Sequence, residues 1–126
     1  MPLNITVEDS RAFTKTVSLE GRLDNETAPE LDQKLDDVLS SPMKVLIFDL
    51  KGLEYISSAG IRSIFKAQKT MKVRSGEAVV VHPQPTVQKV FDIVKAVNLK
   101  TVFASVQELD TYLDTIQRRI AEGEDE

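Results

Sequence analysis

Val45-Leu46-Ile47-Phe48-Asp49-Leu50-Lys51-Gly52-Leu53-Glu54-Tyr55-Ile56-Ser57-Ser58-Ala59-Gly60-Ile61 is the stretch that decides the fold. Val45 to Leu50 is a nearly unbroken apolar run, the pattern of a strand covered on both faces. Lys51 to Tyr55 leads out of it. From Ser58 onward Ile61, Ile64, Phe65 and Met71 recur at helical spacing, and the opposite face carries basic residues. A buried strand that runs straight into an amphipathic helix is the building unit of a parallel α/β sheet.

Downstream, Gly76 closes the helix and Ala78 to Val81 predicts a second buried strand, ended by His82-Pro83-Gln84-Pro85. Val87, Val90, Phe91, Val94 and Val97 predict a third helix, with Asn98 suited to a left-handed cap. Thr101-Val102-Phe103 reads as a short last strand. Ser105 and Glu108 have capping-box spacing before the stripe Leu109, Tyr112, Leu113, Ile116 and Ile120.

Upstream, Leu3, Ile5 and Val7 alternate with polar residues, and Phe13, Lys15, Val17 and Leu19 share one face of a second run. These runs predict an antiparallel pair in which Lys15 is out of pattern. Gly21 to Asn25 is a loop. Thr27 and Glu30 again have capping-box spacing, with Pro29 in the first turn, and Leu31, Leu35, Val38 and Leu39 complete a helix from about residue 28 to 40. The expected order is β-β-α-β-α-β-α-β-α: one α/β domain with a mixed, mostly parallel sheet of about five strands and four helices. Residues 1–121 form that domain, and 122–126 an acidic disordered tail.

The bulk composition agrees. The chain has 126 residues, 41% apolar and 29% charged, enough for one globular core. It has no cysteine, hence no disulfide framework, thiolate nucleophile or cysteine metal site. No apolar run approaches the roughly 20 residues that span a bilayer, and the start lacks a signal-peptide pattern, so a cytoplasmic protein without membrane insertion is expected. A net charge of −4 argues against direct nucleic-acid binding. Charge is unevenly placed: Arg62, Lys66, Lys69, Lys72 and Arg74 occupy a stretch with no acid.

A catalytic site is not visible. The one histidine, His82, precedes a proline at a strand end, and Asp32, Asp36 and Asp37 lie along a helix without histidine or cysteine company. No phosphate-binding glycine loop or nucleophile elbow occurs. What remains is Ser57-Ser58 at the helix start. Ser57 suits the N-cap, which leaves the hydroxyl of Ser58, the first helical residue, without a capping task. Gly60 removes a side chain where another surface could approach. A helix start favours negative charge, so a phosphate on Ser58 would not melt the helix and would act on a partner's surface more than on this fold. On spacing alone, two serines that simply cap a helix are the better reading.

This segment, read with Gly21-Arg22-Leu23-Asp24-Asn25-Glu26-Thr27-Ala28, resembles the STAS family, specifically the bacterial anti-sigma-factor antagonists. Family members often read D-S-S-G-L or D-S-T-G-L at the switch, with S-S-A-G-L a frequent variant. Aligned on Gly60, the family's phosphorylated serine falls on Ser58 and its preceding aspartate on Ser57, so Ser57 is a second choice of acceptor. Asp24 matches the loop aspartate that lies beside the switch. The resemblance implies partner switching. The unphosphorylated chain binds an anti-sigma factor that is also an ATP-dependent serine kinase, phosphorylation of Ser58 releases it, and a PP2C-type phosphatase restores binding. ATP belongs to the kinase, so no cofactor is expected. Implied partner-binding residues are Asp24, Ser57, Ser58, Ala59 and Gly60, and the basic face adds Arg62 and Lys66 as a hypothesis for docking on an acidic surface. Two alternatives stay open: an adaptor subunit of a lipid-transport ABC assembly, and a partner-switching regulator with a non-sigma output.

Overall fold

The computed structural model describes residues 2–96 and 104–123. The expected Asn98 cap, the Thr101–Phe103 strand and the end of the acidic tail lie outside the described residues. Within them the elements are β1 (Leu3–Arg11), β2 (Thr14–Leu23), α1 (Ala28–Leu39), β3 (Val45–Ile56), α2 (Ser58–Val73), β4 (Glu77–Val81), α3 (Pro85–Ala96) and α4 (Val106–Ala121). The described strands form one mixed sheet in the order β1-β2-β3-β4. β1 pairs antiparallel with β2, placing Ile5 opposite Leu19 and Val7 opposite Val17. β2 with β3 and β3 with β4 are parallel pairs.

The hairpin differs from expectation at its turn. Phe13, expected to point inward with Val17 and Leu19, has φ +60 and is 63% exposed. Its backbone carbonyl accepts the amides of Lys44 and Val45 at 2.8 and 3.1 Å. The turn thus spends Phe13 on geometry, and the inward face begins later, at Val17 and Leu19. Lys15 is no defect: its ammonium lies 3.2 Å from the Asp9 carboxylate across the hairpin.

β3 is the central element, and it is longer than its apolar run. Leu46, Phe48, Leu50, Leu53 and Ile56 have no exposed surface. The last three are spaced by three residues, which a regular strand would send to alternating faces. Register shifts against β2, between Ser18 and Glu20 and between Gly21 and Arg22, restore the phase, so Leu50, Leu53 and Ile56 all reach the core. Val45, Ile47 and Asp49 are only half-buried. The strand expected to be covered on both faces is therefore sealed on one, and β4 is likewise half-buried from Ala78 to Val81.

β3 also outruns β4, whose last partner pair is Asp49 with Val81. The overhanging edge would leave backbone groups unpaired, and polar side chains satisfy several of them. Gln84 Nε2 donates to the Lys51 carbonyl at 2.7 Å and Thr86 Oγ1 to the Glu54 carbonyl at 3.1 Å. Gln117 of α4 takes the far end, as described below.

α1 starts without the expected capping box. Thr27 makes no side-chain cap; its hydroxyl donates to the Arg22 carbonyl at 2.9 Å and accepts the Asp24 amide at 2.9 Å. The loop claimed the hydroxyl first. At the other end, Arg74 donates to the carbonyls of Leu39 (2.8 Å) and Ser41 (3.3 Å), ending α1 with a cation on its free carbonyls. Arg74 therefore binds α1 and leaves the outer basic face to Arg62, Lys66, Lys69 and Lys72, all exposed.

Candidate functional site

The C-terminal ends of β2 and β3 lie side by side, with Leu23 paired to Ile56. The chain leaves β2 into the Asp24 loop and β3 into α2, so both segments meet at one edge. The Ser57 amide donates to the Leu23 carbonyl at 2.9 Å, which fixes the helix start against that loop. Asp24 Oδ1 accepts the amides of Glu26 and Thr27 at 3.0 and 3.1 Å, and the Asp24 carbonyl accepts Ala28 N at 2.8 Å. Asp24 thus folds its own loop, as short carboxylates do in turns. The Arg22 guanidinium lies 3.8 Å above the Tyr55 ring and its Nε 3.8 Å from Asp24 Oδ2, tying the same loop to β3. Burial and the Asp114 carboxylate beside it raise the Tyr55 phenol above the ordinary tyrosine value, against the lowering effect of Arg22.

Ser57 is the N-cap that the sequence predicts. Its backbone is extended (φ −99, ψ 175) and its hydroxyl accepts from the Gly60 amide at 3.5 Å, a long contact. Ser58 is the first helical residue, also as expected, but its surroundings are not. The residue is 7% exposed, and its hydroxyl oxygen is buried with no hydrogen-bond partner among the described residues. The Ser58 amide donates to Asp110 Oδ1, at 2.9 Å, from α4. The sequence led to the expectation that a phosphate on this hydroxyl would act on a partner's surface more than on this fold. Here a phosphate would also meet the chain's own α4, because a second carboxylate-bearing element already occupies the helix start.

Gly60 requires a similar correction. A β-carbon there would meet Leu23 Cγ at 2.5 Å and Ile56 Cγ1 at 3.0 Å. The missing side chain admits the chain's own core, not a foreign surface. Ala59 is half-buried, whereas Arg62 and Lys66 are exposed. Ala59, Arg62 and Lys66 line a shallow groove of about 310 Å³ between α1 and α2, with Asn25, Ala28 and Asp32 opposite. The groove begins beside the switch, and its charge is mixed because Asp32 faces the two cations.

α4 supplies two residues that sequence reasoning missed, Asp110 and Gln117. Gln117 is 2% exposed; its Oε1 accepts the Ile56 amide at 2.9 Å, and its Nε2 donates to the Ile56 carbonyl at 2.8 Å. One side-chain amide thereby imitates a neighbouring strand at the end of β3. Leu113, fully buried, sits one turn before it. The available signal was a glutamine one residue from Ile116 and four from Leu113, a polar group inside an apolar stripe, with Asp110 two turns earlier on the same face.

His82 is exposed, with φ +56 at the end of β4. Among the described residues no group of three His, Cys, Asp or Glu side chains could hold a metal, and no helix is long and apolar enough to cross a membrane.

With that geometry in view, comparison with known proteins is specific. Residues 4–109 match the model of the STAS domain. BtrV of Bordetella bronchiseptica, whose name places it among anti-sigma factor antagonists, is 32% identical over 75 residues, 60% of this chain and 65% of that protein. The chain thus spans just under two thirds of that relative's length. An anti-sigma factor antagonist from Mycobacterium paratuberculosis superposes with a TM-score of 0.67 at 23% identity, covering 89% of this chain and 94% of that one. The anti-sigma factor antagonist SpoIIAA of Bacillus, solved unphosphorylated and phosphorylated, gives 0.62 in both forms at 20% identity; the unphosphorylated form covers 71% of this chain and 83% of its own. At such identities the structural likeness establishes the fold.

Proposed function

The chain belongs to the STAS domain family, and from that premise we propose that it is a cytoplasmic anti-sigma-factor antagonist that works by partner switching. It is a binding module, not an enzyme, and takes no cofactor of its own. The unphosphorylated form binds an anti-sigma factor that is also an ATP-dependent serine kinase. Transfer of the γ-phosphoryl group forms a P–O bond at Ser58 Oγ, breaks the bond to ADP and releases the hydroxyl proton. The partner then dissociates, and a PP2C-type phosphatase restores the hydroxyl by hydrolysis. The names borne by the relatives support this reading.

The observation that carries it to a residue is the Ser58 hydroxyl. Among the described residues it has no hydrogen-bond partner, at a helix start beside the Asp24 loop. Ser57, by contrast, spends its hydroxyl on the cap, so it is the second choice. Asp24, Ala59, Arg62 and Lys66 border the surface on which a partner would sit, while buried Ser57 and Gly60 support it from below. Burying a phosphate dianion in a packed interface costs several kcal/mol unless it is paired, which suffices to release a partner.

The test is the peptide Gly52–Arg62, isolated from the chain in its native cell and mapped by mass spectrometry. Phosphate on Ser58, with Ser58→Ala retained on an ATP-dependent kinase, is expected. A peptide without phosphate, and one ATPase held equally by wild type, Ser58→Ala and Ser58→Asp, would replace the switch by a transport-assembly adaptor.

A further inference from the structure

Resting on the reading of Ser58 as the switch, we propose that α4 is a latch closed over it, with Asp110 seated where the Ser58 phosphate would draw its own hydrogen bonds. Two independent observations meet here. The Ser58 hydroxyl is buried and has no partner among the described residues, a state that folded proteins rarely leave unexplained. The α2 start, the natural seat of an anion, already holds one: Asp110 Oδ1 accepts the Ser58 amide at 2.9 Å. Seven residues on, Gln117 clasps both backbone groups of Ile56, two residues before Ser58. One face of α4 is thus fastened to the segment that carries the acceptor.

A kinase needs the hydroxyl oxygen in reach of the γ-phosphorus, yet less than 1 Å² of it is exposed in a structure whose α4 is fastened to this residue's own amide. Modification therefore follows lifting of α4 from the α2 start. Afterwards a dianion on Ser58 and the Asp110 carboxylate compete for the same amide at close range, and like charges disfavour reseating. The latch closes the unmodified switch, and phosphate holds it open.

Because the chain has no cysteine, Ser58→Cys supplies a single thiol whose alkylation by iodoacetamide reports access to residue 58 in the full chain. Ser63→Cys, buried on α2 toward α1, reports general opening. The latch predicts that Cys at 58 reacts about a hundredfold more slowly in the native chain than in guanidinium. Asp110→Ala should speed it about tenfold with Cys at 63 unchanged, and Gln117→Ala should speed it more than it speeds Cys at 63. Native alkylation as fast as in guanidinium overturns the proposal, as does equal acceleration at both cysteines, or no acceleration. Should Gln117→Ala fail to fold, Asp110→Ala decides. Genetically encoded phosphoserine at 58 should raise hydrogen exchange in residues 106–121 but not in β1 and β2; unchanged exchange refutes the phosphate coupling. Neither readout needs a kinase. Absence of phosphate in cells would sink the switch and leave the latch, whereas free access to residue 58 would sink the latch alone.

Discussion

Replacing Gly60 by alanine sets two effects of opposite sign against each other. In an exposed helix the change is favourable by about 1 kcal/mol, since glycine loses more backbone freedom on folding. At this position the new methyl would stand 2.5 Å from Leu23 Cγ, 2.8 Å from Leu23 Cδ2 and 3.0 Å from Ile56 Cγ1. Ordinary carbon contacts begin near 3.5 Å, so α2 must move outward by nearly an ångström or Leu23 must leave its rotamer. Leu23 and Ile56 are fully buried at the ends of paired strands and have nowhere to go. Overpacking of this kind costs about 1–3 kcal/mol, and a contact this short belongs at the upper end. The net expectation is a loss of about 1–2 kcal/mol, read as a lower urea midpoint at unchanged m-value for the isolated chain. The isolated chain is the point of the assay: a glycine kept only for a partner's approach would leave it unharmed. Equal or greater stability of Gly60→Ala would refute the seating of α2 on Leu23 and Ile56.

Gln117→Leu nearly keeps the volume but strands the Ile56 N–H and C=O, so urea unfolding should show a loss of about 2–6 kcal/mol, at roughly 1–3 for each orphaned group. A loss below about 0.5 kcal/mol would mean that water replaces the clasp freely. Tyr55 has a raised phenol pKa, so the folded state holds that proton more tightly than the unfolded chain. The associated stability is complete below the unfolded value near 10 and is lost as pH rises through the folded value. Tyr55→Phe should flatten the alkaline decline in thermal midpoint, and an unchanged decline would contradict the shift. Charge reversal of Arg62 and Lys66 together should weaken binding to an acidic partner and reduce its salt dependence. If both stay the same, the mixed-charge groove is only a solvated surface.

The order of elements was legible because strand and helix alternate and each carries its own period. What the sequence hid were matters of competition and of phase. Thr27 had correct capping spacing, but the Asp24 turn took its hydroxyl, a choice that local pattern cannot reveal. Leu50, Leu53 and Ile56 share a face only because two register shifts intervene, and those depend on β2. Phe13 looked like a core residue because alternation continues through it, whereas the turn required a positive φ there. At the site, Ser57 as cap and Ser58 as first helical residue could be read from the spacing. Asp110 and Gln117 could not be joined to Ser58 and Ile56, which precede them by 52 and 61 residues, without the docking of α4.

On the proposed mechanism, one phosphate on Ser58 ends one protein contact. This is tested most directly by calorimetric titration of the kinase that modifies the chain with unmodified protein and with protein carrying genetically encoded phosphoserine at 58. Tight binding of the first is expected, with an affinity at least about a hundredfold weaker for the second, because a dianion must be desolvated in the interface. Equal affinities for the two forms would contradict it.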